Sequence, residues 1–133
     1  MNPFKSLATS LLLVAFFLTT STAHAEEGGS KDNLHAKMEP IIVNLLGPTQ
    51  QYLQVALIFQ LAKSEVDERI KLYMPVIRHK LILLLTSKDA NQLGSIEGKR
   101  KLVQESKDIV NQILGLTDKE GIADILFSSF IIQ

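Results

Sequence analysis

The chain has 133 residues, and its 14 Lys and Arg balance 14 Asp and Glu, so no net charge draws it to a phosphate backbone or an anionic membrane. It contains no cysteine, which excludes disulfides, thiolate metal sites, covalent haem attachment, cysteine catalysis and lipoprotein acylation. An apolar content of 46% at this length fits one globular domain.

Residues 1–25 read as an export segment outside that domain. Lys5 gives a single positive charge, Leu11 to Leu18 is an unbroken apolar run, and Thr19 to Thr22 leads into Ala23-His24-Ala25. That order is the tripartite pattern of a secretory signal, with small residues where a signal peptidase needs them, so cleavage is expected between Ala25 and Glu26. The competing reading is an uncleaved short anchor, because Ser6 to Ala25 carries no formal charge; its unbroken apolar part falls short of the roughly 20 residues of a membrane span. After cleavage 108 residues remain, 13 basic against 14 acidic. Export without cysteine points to a bacterial envelope compartment.

Residues 26–36 begin with Glu-Glu-Gly-Gly-Ser-Lys-Asp-Asn and show no periodicity, the composition of a flexible linker. A folded domain is expected over 37–133. Pro40 opens an apolar stretch, Ile41 to Leu46, as a proline at a strand's first residue or on an edge strand does. Gly47-Pro48-Thr49-Gln50 supplies a turn. Beyond it Leu53, Val55, Leu57, Phe59 and Leu61 alternate with Tyr52, Gln54, Ala56, Ile58 and Gln60, which predicts a strand with one fully apolar face. The two segments together predict an antiparallel hairpin.

A helix is expected from Ser64, with Ser64 and Asp67 as a capping box and Val66, Ile70, Tyr73, Met74, Ile77, Leu81, Leu84 and Leu85 as its buried stripe. Glu65 with Arg69 and Asp67 with Lys71 stand at ion-pair spacing on its wet side. Pro75 is expected to kink or divide it. Leu81 to Leu85 is apolar all round, so part of that run needs a second cover, from the sheet or from a neighbouring molecule. Thr86 to Gly94 reads as a loop or short helical turn. A second long helix, Ile96 to Leu114, is expected with Ser95 as its cap, Leu102, Val103, Ile109, Val110, Ile113 and Leu114 inward, and Gly115 as its stop. Ile122 to Gln133 reads as a last strand. The order strand, strand, helix, helix, strand predicts an α+β domain: a small antiparallel sheet of about three long strands with two main helices on one face.

No constellation for catalysis or metal binding emerges. His35 and His79 lack a ligand partner at helical spacing, Asp118-Lys119-Glu120-Gly121 lacks the alternating oxygens of a calcium loop, and no serine sits in a nucleophile elbow. No catalytic residue, cofactor or small-molecule substrate is expected. Lys99-Arg100-Lys101 reads first as a solvated face, with Glu97 and Glu105 at compensating spacing to Lys101, and second as a contact surface for an acidic partner.

Five blocks then resemble one family in order: Met38 to Leu45; Gln51 to Val55; Pro75 to Arg78 leading into Leu81 to Lys88; Ile96-Glu97-Gly98-Lys99; and Ile125 to Gln133. They are similar to the periplasmic domain of the flagellar basal-body-associated FliL family. The resemblance implies a noncatalytic accessory of the flagellar motor on the periplasmic side of the inner membrane. It implies association with the stator complex, support of rotation, swarming and chemotactic motility, a stomatin-like fold, and homo-oligomeric rings. Leu81, Ile82, Leu83, Lys99, Arg100 and Lys101 are the candidate surface for partners or self-association. Glu39, Asn44, Arg78 and Gln133 are matched positions open to contact or structural roles. Family members usually carry a full transmembrane helix where this chain has a short signal-like segment, so a soluble periplasmic binding or chaperone-like module that kept the fold is the alternative expectation.

Overall fold

The computed structural model describes residues 34–133; the export segment, the Ala25–Glu26 junction and most of the linker lie outside them. Strand β3 (Tyr52–Leu61) is the spine of a four-stranded antiparallel sheet. Its alternation places Leu53, Val55, Leu57, Phe59 and Leu61 in the core, none more than 3% exposed. The opposite face keeps Gln54, Ala56 and Ile58 half-buried and Tyr52 and Gln60 exposed. Strand β4 (Ile122–Ile132) runs along one edge of β3 from Leu53↔Ile132 to Leu61↔Ile122. Strands β1 (His35–Lys37) and β2 (Ile41–Asn44) pair with β3 at Gln60↔His35 and Val55↔Ile41. Since β4 fills one edge of β3, they lie end to end along the other.

The sheet is therefore three lanes wide, as the sequence pattern predicts, but its first lane is two strands. Pro40 has no N–H to give the ladder and divides them. The Met38 N–H donates to the Leu57 carbonyl at 3.1 Å, and the freed carbonyls of Glu39 and Pro40 each accept from the Arg78 guanidinium at 2.9 Å. Arg78 thus takes a structural role, one of the two readings open for it. Strand β1 lies partly inside the stretch whose composition reads as linker; a three-residue strand with Ala36 as its one buried residue is too short to leave a period.

Helices α1 (Val66–Thr86), α2 (Ala90–Gly94) and α3 (Ile96–Leu114) follow β3. Val66, Ile70, Ile77, Leu81 and Leu85 of α1 and Leu102, Val110 and Leu114 of α3 close on the apolar face of the sheet to form one core. The capping box expected at Ser64 does not form. Glu65 holds the N-cap position with helical dihedrals and no side-chain bond, and the first N–H groups, of Val66 and Asp67, go to the carbonyls of Lys63 and Ser64 at 3.2 Å. Asp67 instead meets Lys71 at 2.7 Å, at the expected spacing. Arg69 does not take Glu65; its guanidinium donates to the Leu114 carbonyl at 2.6 Å, tying the start of α1 to the end of α3. Pro75 leaves α1 undivided. Pro75 and Lys71 both lie on the exposed side, where water can serve the carbonyl that loses its donor.

Both ends of α3 match the sequence pattern. Ser95 Oγ accepts from the Gly98 N–H at 2.9 Å, and Gly115 adopts the left-handed conformation at φ 66° that closes a helix. Past that cap Asn111, buried at 5% exposure, brackets the start of β4. Its Oδ1 accepts from the Ile122 N–H at 2.7 Å and its Nδ2 donates to the Ile122 carbonyl at 3.0 Å. A Cβ at Gly121 would stand 2.4 Å from that Oδ1, so glycine is required there.

Candidate functional site

The run Leu81-Ile82-Leu83 divides by helical geometry. Leu81 is fully buried in the core and offers nothing to a partner, a correction to its place in the candidate surface. Ile82 is half-buried against the core. Leu83 is 51% exposed. At about 100° per residue, Leu72, Val76 and Leu83 fall within about 40° of one another and roughly opposite the buried stripe; Leu72 and Val76 are exposed at 73% and 46%. Tyr73, expected inside, is exposed as well. Helix α1 therefore carries a second, outward apolar stripe. It continues at Leu83 into a groove of about 500 Å³ between α1 and α3, lined by Lys80, Leu83, Leu84, Ile109, Gln112 and Ile113. Ile109 and Ile113, expected in the core, are half-buried and line this groove.

The basic run lies elsewhere, at the start of α3. Lys99 is held: its ammonium reaches the Gly94 carbonyl at 3.3 Å and stands 5.1 Å from the centroid of the Phe130 ring, a cation–π contact. Arg100 and Lys101 are exposed. The compensation expected for Lys101 is absent among the described residues. Glu105 turns to Lys88, Nζ to Oε2 at 2.5 Å, as an ion pair and not an aligned hydrogen bond. Lys101 borders a cleft of about 230 Å³ with Lys88, Gln92, Ser95, Glu97 and Gly98, separate from the Leu83 groove. The floor of that cleft is tight, since a Cβ on Gly98 would lie 1.8 Å from the Gln92 carbonyl oxygen.

Among the described residues two ionisable groups are shifted. Hydrogen bonds to Asp67, then Glu68, push Lys71 up to about 12. The Lys107 ammonium, 2.9 Å away, holds the Asp118 carboxyl below its usual range, with Asn111 assisting. The first lies within one turn of α1; the second ties the second half of α3 to the turn before β4. Among the described residues no group of three His, Cys, Asp or Glu could hold a metal ion; His35 and His79 stand apart on exposed positions. Nor is any described helix long and apolar enough to cross a membrane.

What the surface offers is therefore apolar contact area, on the outside of α1 and on the open face of the sheet, where Ile42, Tyr52, Leu126 and Ile131 are 65%, 44%, 41% and 43% exposed. Asn44 lies exposed beside Tyr52 on that face, and Gln133 ends β4 by exchanging backbone hydrogen bonds with Tyr52 at 2.7 and 3.0 Å. The model of the flagellar basal body-associated protein FliL family matches residues 35–133, which includes every element of this fold. The chain belongs to the FliL family. It is similar to flagellar protein FliL of Aquifex aeolicus, 30% identical over 95 residues, 71% of this chain and 57% of that one. It is similar also to flagellar protein FliL of Escherichia coli K12, 28% identical over 97 residues, 72% of this chain and 62% of that one. The chain thus spans about three fifths of the length of these FliL relatives.

Proposed function

We propose that this FliL-family chain is a noncatalytic accessory of the flagellar motor, exported to the periplasmic side of the inner membrane, where it associates with the basal body and stator complex and supports rotation, swarming and chemotactic motility. The observation that carries the reading is the family match across the whole folded domain. The surface chemistry supports it: the outward side chains of α1 suit capture of a protein segment. Leu83, with Leu72 and Val76 along the same side, is the proposed contact center; Arg100 and Lys101 form a second, polar contact toward an acidic partner.

The test is capture. Leu83→Glu leaves the core residues untouched and should fold with near-normal stability, while recovery of stator protein in a crosslinking pull-down from the native host falls severalfold. Undiminished recovery with Leu83→Glu would place the contact elsewhere, and no recovery with the unaltered protein would contradict stator association.

A further inference from the structure

Strand β4 is the longest of the sheet, and among the described residues it pairs along one side only, with β3. Its outer edge presents backbone N–H and C=O groups whose complement is another extended strand. The opposite edge is blunted: Pro40 interrupts it, Lys37 stands on it, and Arg78 occupies the carbonyls of Glu39 and Pro40. Strand β4 has no proline or lysine and a single charged residue, Asp124. Asp124 Oδ1 accepts from the Ile125 N–H at 2.8 Å, and no such bond protects the stretch from Leu126 to Ile132.

Of the two register irregularities in β4, at Ser128 and at Ala123, the one at Ser128 indicates which strand fits. Register with β3 puts Asp124, Leu126, Ser129 and Ile131 opposite Gln60, Ile58, Ala56 and Gln54 on the open face, and Ile125, Phe127, Phe130 and Ile132 opposite Phe59, Leu57, Val55 and Leu53 on the helix face. Ser128 is the extra residue of a bulge, its hydroxyl turned to the Ala56 carbonyl at 3.3 Å. Because the bulge shifts the alternation by one, the face pattern reads the same in both directions about a point between Ser128 and Ser129. Turned end for end about that point, Leu126 meets Ile131, Phe127 meets Phe130, and Ile125 meets Ile132, each pair on one face. Asp124 then meets Gln133, and the two Asp124 carboxylates stay roughly 30 Å apart along the strands, well beyond the reach of screened repulsion. A shift by two residues in one direction would set Asp124 against Ile131 instead.

We infer that the outer edge of β4 pairs antiparallel with β4 of a second copy of this chain in that register, making one continuous sheet across the dimer. The pairing brings Leu126 and Ile131 of both copies, each over 40% exposed in the single chain, side by side. It concerns how copies meet and does not depend on the motor reading.

The chain has no cysteine, so introduced ones are unique. Two differently tagged full-length copies, Leu126→Cys and Ile131→Cys, are co-expressed, purified and treated with a mild oxidant. Opposed Cβ atoms lie about 5 Å apart in such a pair, whereas Leu126 of the two copies would be about 17 Å apart. The mixed sample should therefore give a severalfold higher yield of disulfide-linked dimer than either variant alone, and Asp124→Cys with Gln133→Cys should repeat the pattern. Equal yields in mixed and unmixed samples, or no linked dimer from either combination, would overturn the pairing. All four positions are exposed, so the fold survives the change, and no motor protein enters the readout.

Discussion

Glycines show how far a single atom decides this fold. A Cβ at Gly98 would collide with the Gln92 carbonyl, while one at Gly94, a turn earlier, meets nothing within 4 Å. Gly98→Ala should cost about 1 to 3 kcal/mol by overpacking, and Gly94→Ala should be neutral or raise stability by up to about 1 kcal/mol through helix propensity; urea melts of the two decide it, and equal effects would mean that α2 does not sit on the first turn of α3. Gly98 is visible in the sequence only as part of a helix opening; its necessity comes from a carbonyl that the chain brings back through the turn at Ser95. Asp118 gives a pH test. Its carboxyl is held low by Lys107, so what it adds to stability is present above the ordinary carboxylate value of about 3.9 and is lost as pH falls through its lowered folded value. Between about pH 5 and pH 3 the urea midpoint of the unaltered protein should therefore fall more than that of Asp118→Asn; parallel curves would leave the Lys107 pair without influence.

At the scale of elements, β3 was the most legible part of the chain, because a ten-residue strand buried on one face must alternate. Leu57→Ala should cost roughly 2 to 5 kcal/mol, and Gln54→Ala, on the other face, under about 1 kcal/mol; equal losses in a urea melt would contradict the assignment of the two faces. Helix α3 was legible for a similar reason, with Ser95 and Gly115 marking its ends in local chemistry. Helix α1 was less so. It carries apolar residues on two sides, so periodicity counted Tyr73, which borders the inner stripe but is exposed, with Ile77 and Leu81, and only packing on the sheet separates them. The division of the first lane at Pro40 depends on Arg78, which is 38 residues away in sequence from the Pro40 carbonyl it serves; no local pattern encodes such a bond. Asn111 likewise carries no local signal, since its partner Ile122 lies beyond a turn.

For the whole molecule, the described domain buries one core and leaves three apolar areas outside: the outer stripe of α1, the open face of the sheet and the edge of β4. Such apolar surface suits contact with other proteins, the property on which the proposed role rests. The fold class was legible in the order and periodicity of the elements. The contact surface was half legible, because the run Leu81 to Leu85 announces a need for a second cover without saying which of its members reach it. In the proposed function the chain serves a motor already built. The most direct measurement is the motility of a deletion strain of the native host, scored by flagellar number, swimming in viscous medium and swarming, with the gene restored unaltered or as Leu83→Glu. The expected result is normal numbers of flagella, impaired movement under load, rescue by the unaltered gene and weak rescue by Leu83→Glu. Normal movement under load in the deletion strain would contradict it.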